Sequence, residues 1–315
     1  MENSTMQATA FSLLVGYDES ECSRAMIEGL STAGLPAQGS AIVISVAETG
    51  ALAGTLGYGY PVVSPDDIAS RIAALKEFAK KAALEGVSRL RSALPGWTIE
   101  GHPVEGSSYW SLIEYADQHA IDLISVGSHG RSAIGRALLG STSQFLVTHA
   151  TGSVRIGRVS SPQPAVAGQT PRLLIAIDGS ESADAVVQEV ARRTWPAGSE
   201  AQLIVAVDVG TAVSIRSRAA REPDTVRTSL PEGVLERAAS ALEHSGLKLS
   251  GELKEGDPKH VILERAQFWN SDTIFIGAQG HSRFARLMLG SVSAAVAARA
   301  HCSVEVVRKK VASKP

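Results

Sequence analysis

Leu13-Leu14-Val15-Gly16-Tyr17-Asp18-Glu19-Ser20 is answered later in the same chain by Leu173-Leu174-Ile175-Ala176-Ile177-Asp178-Gly179-Ser180. The echo continues. Gly127-Ser-His-Gly130 returns as Gly277-Ala-Gln-Gly280, and Gly140-Ser141-Thr142-Ser143 returns as Gly290-Ser291-Val292-Ser293. The late pairs keep an offset of 150 residues (277 − 127, and again 290 − 140), whereas the early pair stands 160 apart (178 − 18), so the first copy is longer through its middle loop. A period of this size is a whole domain rather than a solenoid unit. Whatever core the chain builds, it builds twice. Between the copies, residues 160–171 are small, polar and rich in Pro and Gly, the composition of a linker. The expected organisation is a first domain over 1–158, a linker over 159–171 and a second domain over 172–310.

Each copy alternates strands with helices. In the first, Ser12–Gly16 is an apolar run stopped by an acidic turn, Ser20 is placed to cap a helix, and Ala41–Ala47 is a second β-branched run. Ser64-Pro65-Asp66-Asp67 supplies an N-cap, a first-turn proline and two first-turn acids to a long helix reaching about Leu94. Trp97–His102, Asp122–Val126 and Ser153–Ile156 read as the remaining strands, with helices over Ser108–His119 and Ser141–His149. The second copy repeats the order, with strands expected at Leu173–Ile177, Ala201–Val207, Lys248–Leu253, Thr273–Ile276 and Ser303–Val307. This alternation predicts an α/β fold, a five-stranded, doubly wound parallel sheet in each copy. Such a sheet binds ligands outside the carboxyl ends of its strands, at the switch point where strand order reverses. The repeated Asp and Gly turns fall at those ends.

Composition narrows the ligand. A formal charge of −2 gives no electrostatic footprint for nucleic acid or an anionic membrane surface, so a bound anion has to be held by local geometry. Cys22 and Cys302, one per copy and outside any metal-ligand spacing, read as small buried hydrophobes, and no metal site is expected. No window has the roughly 18 apolar residues of a membrane span, and the polar start, Met1-Glu-Asn-Ser-Thr-Met-Gln, is unlike a signal peptide. A cytoplasmic protein is the expectation.

Both copies carry Gly-x-x-Gly, nine residues, then Gly-Ser: Gly127, Gly130, Gly140 and Ser141, then Gly277, Gly280, Gly290 and Ser291. Glycine at a strand exit lets a ligand approach the main chain, and the far Gly-Ser opens a helix whose unpaired N–H groups and dipole attract phosphate. Ser141, Ser143, Ser291 and Ser293 offer hydroxyl donors, and Arg136 and Arg286, at matching places inside the nine-residue span, offer guanidinium groups. Each also has a plainer reading: the glycines as tight turns, the serines as N-caps, the arginines as solvated loop residues, and Asp18 and Asp178 as strand terminators. His129 and His281 occupy different positions of the motif and share no role, and His149 and His301 read as helix ends. Gly57-Tyr-Gly-Tyr60 reads as ordinary loop, with a lid over the first site as its alternative.

On these residues the chain resembles a tandem universal stress protein of the branch that binds ATP through Gly-2x-Gly-9x-Gly-Ser/Thr. The resemblance implies two flavodoxin-like, Rossmann-like domains of the adenine nucleotide alpha hydrolase type, with ATP, alone or with Mg2+, as the ligand. It places Asp18 and Asp178 near the adenine–ribose end, and Val46 and Val207 along the base. The glycine loops, with Ser141, Thr142, Ser143, Ser291, Val292 and Ser293, then take ribose and phosphates. Family domains pair through the last strand. Ser153-Val154-Arg155-Ile156 aligns with Ser303-Val304-Glu305-Val306, so the two edges are expected to cover each other antiparallel as an internal pseudo-dimer, Arg155 against Glu305. Pairing of whole chains into a homodimer is left open.

The function expected is a nucleotide-dependent stress-response sensor or regulator with no catalytic residues assigned and at most slow ATP hydrolysis. The chain has no Gly-x-x-x-x-Gly-Lys-Ser/Thr loop, no evident second acidic metal ligand and no repeated general base beside the phosphate loop, which argues against an efficient ATP-using enzyme. A nucleotide-free scaffold or interaction module is the alternative. Because Glu19 adds charge where the second copy has Gly179, the second site is expected to bind more tightly.

Overall fold

A computed structural model describes residues 11–49, 64–130, 139–159, 170–207, 231–280 and 289–309. Arg136, Arg286, the Gly57–Tyr60 segment and most of the expected linker lie outside the described residues. The first repeat runs β1 (Ser12–Gly16), α1 (Glu21–Glu28), β2 (Ser40–Ala47), α2 (Pro65–Ala93), β3 (Thr98–Glu105), α3 (Ser108–Gln118), β4 (Leu123–Gly127), α4 (Ser141–His149) and β5 (Ser153–Gly157). The second runs β6 (Arg172–Ala176), α5 (Glu181–Ala191), β7 (Glu200–Val207), α6 (Pro231–Leu242), β8 (Lys248–Glu255), α7 (Pro258–Phe268), β9 (Thr273–Gly277), α8 (Ser291–Arg299) and β10 (Ser303–Val307). No helix among the described residues is long and apolar enough to cross a membrane.

Local chemistry sets the helix starts. The Ser20 hydroxyl accepts from the Ser23 amide at 3.1 Å to open α1, and the Ser64 hydroxyl accepts from the Asp67 amide at 3.1 Å to open α2 behind Pro65. Residue pattern sets strand position. In β1, Leu13, Leu14 and Val15 are all fully buried, as a central parallel strand covered on both faces requires. β3 alternates polar and apolar and lies at the sheet edge. It also runs to Glu105, beyond the expected His102, because all eight of its residues pair with β2, and an edge strand tolerates Pro103.

The strands form one sheet of ten, in the order β3-β2-β1-β4-β5-β10-β9-β6-β7-β8. Strand direction is parallel throughout each half. At the centre β5 and β10 pair antiparallel, with Arg155 directly opposite Glu305. One apolar cluster crosses this junction, joining Leu14, Leu146 and Ile156 to Leu174, Val296 and Val304, whereas the opposite face of the sheet has a separate cluster in each half. The halves also meet beside the sheet. The Thr194 amide donates to the Gly34 carbonyl at 3.0 Å, and the Trp195 indole lies where a Gly34 Cβ would stand, 2.7 Å from it. Cys302 is buried at this junction as expected of a small hydrophobe, while Cys22 is only half-buried.

Candidate functional site

Strand order reverses between β1 and β4 in the first half and between β6 and β9 in the second, so the loops leaving each pair diverge. In the first half the divergence opens a cavity of about 750 Å3, inside the ~300–1,000 Å3 range of small-molecule sites. It gathers Asp18, Val46, Gly127, Gly130, Gly140, Ser141, Thr142 and Ser143 from the sequence expectation. It also brings in Tyr17, Ile44, Glu48, Leu75, Phe78, Ser108, Leu112, His129 and Leu139, which the motif does not point to. Ile44 and Glu48 were within reach of sequence reasoning, because β2 side chains two apart share a face with Val46. Leu75 and Phe78 were not: they come from α2, whose placement over the crevice is tertiary.

Gly16 ends β1, and the Asp18 carboxylate folds back to accept from the Ser20 amide at 3.1 Å, fixing the acidic turn. The Asp178 carboxylate does the same with Ser180 at 2.9 Å. Beyond β4 the loop closes on itself. The Gly140 amide donates to the Ser128 carbonyl at 2.8 Å, and the Gly290 amide to the Ala278 carbonyl at 2.8 Å. The first bonds of the following helices are Gln144 to the Gly140 carbonyl and Ala294 to the Gly290 carbonyl, both 2.9 Å. The amides of Ser141, Thr142 and Ser143, and of Ser291, Val292 and Ser293, therefore precede the helical ladder and face the positive end of a helix dipole. No side chain caps either helix.

Two expectations need correction. The Ser143 and Ser293 hydroxyls are not spare donors, for each gives its proton to the carbonyl of the first motif glycine, Gly127 or Gly277, at 2.6 Å. They brace the loop from side chains that are themselves buried. Val207 is not the counterpart of Val46. Its strand register matches Ala47, and it packs into the opposite core, while Ala206 takes the place of Val46. A slip of one residue in a strand moves a side chain to the other face.

The motif glycines are glycine for different reasons. A Cβ at Gly127 would meet the Ser23 amide nitrogen at 2.8 Å, so close packing on α1 accounts for it. At Gly130 and Gly280 a Cβ would press on the Asp18 or Asp178 carboxylate at 2.9 and 2.7 Å. Gly140 and Gly290 are otherwise. Their φ values of −62° and −65° suit any residue, but an added Cβ would stand 3.4 and 3.3 Å from the Ser128 and Ala278 carbonyl oxygens, a close fit against the same carbonyls that their own amides bond.

Glu19 holds φ +60° where the second half has Gly179 at +78°. A left-handed non-glycine residue costs roughly 1–2 kcal/mol, so Glu19→Gly is expected to stabilise the chain by about 1 kcal/mol. Urea unfolding of the two proteins side by side measures this, and an unchanged or lowered midpoint would show that the turn carries no strain.

The charged groups here are tied down. Burial, and then its hydrogen bond to Glu85 at 2.8 Å, push the Tyr17 hydroxyl up to about 12. The His129 imidazole lies below its usual range, through burial and then the nearby Arg158 guanidinium. Its Nδ1 stands 3.2 Å from the Ser128 hydroxyl, while its enclosed Nε2 makes no hydrogen bond among the described residues.

The model of the universal stress protein family matches residues 11–157 and again 170–308. A universal stress protein of Mycolicibacterium smegmatis is 29% identical over 189 residues, covering 60% of this chain and 62% of that relative, less than two thirds of its length. One from Methanocaldococcus jannaschii is 29% identical over 140 residues, 44% of this chain and 82% of that protein. Among solved structures, a universal stress protein from Archaeoglobus fulgidus shares the fold with a TM-score of 0.64 at 20% identity, covering 96% of this chain and 97% of that one.

Proposed function

The chain belongs to the universal stress protein family, and on that premise we propose that it is a cytoplasmic, ATP-binding stress-response regulator whose nucleotide occupancy alters its shape or partners. The observation that carries this reading is the uncapped N-terminus of α4, which opens behind Gly140 onto the crevice of about 750 Å3 that Asp18 and Val46 also line, with α8 opening uncapped behind Gly290 in the same way. The phosphates would rest on the amides that open α4 and α8, close to those glycines, with Ser141 and Ser291 adding hydroxyl donors. The base and ribose would lie toward Asp18 and Val46 in the first crevice, and toward Asp178 and Ala206 in the second. Arg136 and Arg286 stand as proposals from sequence alone. The ligand is taken as ATP, with or without Mg2+, and turnover as slow at most. The boundaries 1–158, 159–171 and 172–310 are retained as domain boundaries. The two halves are read as an internal pseudo-dimer, a reading supported by the antiparallel register of Arg155 on Glu305.

The test is analysis of ligand released from freshly purified, denatured protein, wild type beside the Gly140→Ala, Gly290→Ala double variant. Adenine nucleotide is expected from the wild type and little or none from the variant. If wild type releases none, and binds none at millimolar ATP, the loops are turns only and the nucleotide reading falls.

A further inference from the structure

Each half closes its last strand with an arginine that leaves its own half. Arg158 follows β5 directly and donates to the Ala297 and Ala298 carbonyls in the last turn of α8, the second at 3.1 Å. Arg308 follows β10 and donates to the Val147 carbonyl in the last turn of α4, with its own amide held by the Ser153 hydroxyl at 3.1 Å. Val147 and Ala297 are equivalent positions, 150 residues apart (297 − 147), as are the two arginines (308 − 158). The contact is therefore made twice, reciprocally, about the junction of the halves. In both cases a cation satisfies carbonyls that the helix end leaves unpaired and sits at the negative end of its dipole. The helices so capped are the two whose N-termini open the glycine loops.

The link also reaches each arginine's own loop. The Ser128 amide, first in the glycine loop after β4, donates at 2.8 Å to the carbonyl of Gly157, the residue before Arg158. The Ala278 amide donates at 3.0 Å to the carbonyl of Val307, the residue before Arg308. A closed circuit of main-chain bonds, guanidinium bonds and helices results. It runs from the first loop through Gly157 and Arg158 into α8 and the second loop, then through Val307 and Arg308 into α4 and back.

We propose that Arg158 and Arg308 couple the two crevices, so that an anionic nucleotide seated at one helix N-terminus raises the affinity of the other. This rests on the nucleotide reading above and adds the regulation of that site. An occupant bound to the α4 amides orders α4, and with it the Val147 carbonyl that holds Arg308. That in turn holds the Val307 carbonyl on which the second loop hangs, so less ordering remains for the second ligand to impose.

The test is calorimetric titration of the full chain with ATP, alongside two single-site chains, Gly140→Ala and Gly290→Ala, which add no charge at either helix N-terminus, and the Arg308→Met and Arg158→Met variants. In the wild type the second stepwise constant is expected to be at least ~5-fold tighter than that of the same site in its single-site chain. Either methionine variant should reduce the ratio to near one while both sites still fill. Wild-type constants within twofold of the single-site chains overturn the coupling with no arginine variant needed, as does a ratio that survives both methionine substitutions. If neither methionine variant folds, the wild-type comparison decides alone. ATP binding to no chain overturns the nucleotide reading itself, an outcome distinct from binding without coupling.

Discussion

Glu305→Ala should cost the chain about 3–5 kcal/mol of unfolding free energy, because it leaves buried cations without their partner. Glu305 lies in the antiparallel pair that joins the halves and is completely buried. Arg155 reaches it at 3.4 Å and also donates to the Thr273 hydroxyl at 3.1 Å. Arg193 grips both of its oxygens and donates as well to Glu189 at 2.8 Å and to the Ala33 carbonyl of the first half at 2.9 Å. Two arginines thus converge on one carboxylate in the buried interior. Arg155→Glu should be as damaging, since it sets two carboxylates directly opposite, and the loss should hardly depend on salt, because screening acts weakly on buried charges. Denaturant unfolding at low and high ionic strength measures both. A loss under ~1 kcal/mol, or one that salt abolishes, would mean the network is hydrated and contributes as surface pairs do.

Ser141→Glu with Ser291→Glu should reduce ATP affinity by at least ~100-fold while leaving stability unchanged or slightly higher. Both serines are exposed first residues of their helices. A carboxylate there suits the helix dipole, worth ~0.3–1 kcal/mol, so the fold is preserved. It also stands where the phosphates would seat, and like charges about 4 Å apart near a protein surface repel by roughly 4 kcal/mol. Equilibrium dialysis with ATP beside a thermal melt separates the two effects. Undiminished binding by a stable double variant would move the phosphates away from these helix ends.

Much of the architecture was legible because its signals are local. The caps at Ser20 and Ser64, the apolar run of β1 and the last strand at Ser303–Val307 depend on neighbours in sequence and were read correctly. Elsewhere local reading failed for specific reasons. Val207 came from the family resemblance, and strand parity put Ala206 in its place. Ser143 and Ser293 looked like ligand donors until the loop carbonyls of Gly127 and Gly277 claimed their protons. Arg193 had no signal, for its counterpart in the first copy is Ala33, so the repeat hid it. Arg158 and Arg308 keep the repeat's offset of 150 but belong to no site motif, and nothing in one dimension says that each side chain crosses to the other half.

The sequence by itself determined the duplication, the alternation of strand and helix, and the placing of Asp18, Gly130 and Gly140 at the carboxyl ends of neighbouring strands, whereas the opposition of Arg155 to Glu305 was expected only through the family resemblance. The first three follow from periodicity and from residue types whose preferences act over a few neighbours. Only the tertiary structure decided that the halves share one ten-stranded sheet with a common core on one face, that α2 roofs the first crevice with Leu75 and Phe78, and that a second arginine joins Glu305 in burial. Those depend on packing between segments as much as 160 residues apart, as between Ala33 and Arg193. Contacts of that kind are chosen by shape and by the need to satisfy each buried charge, and neither is encoded in the adjacent residues.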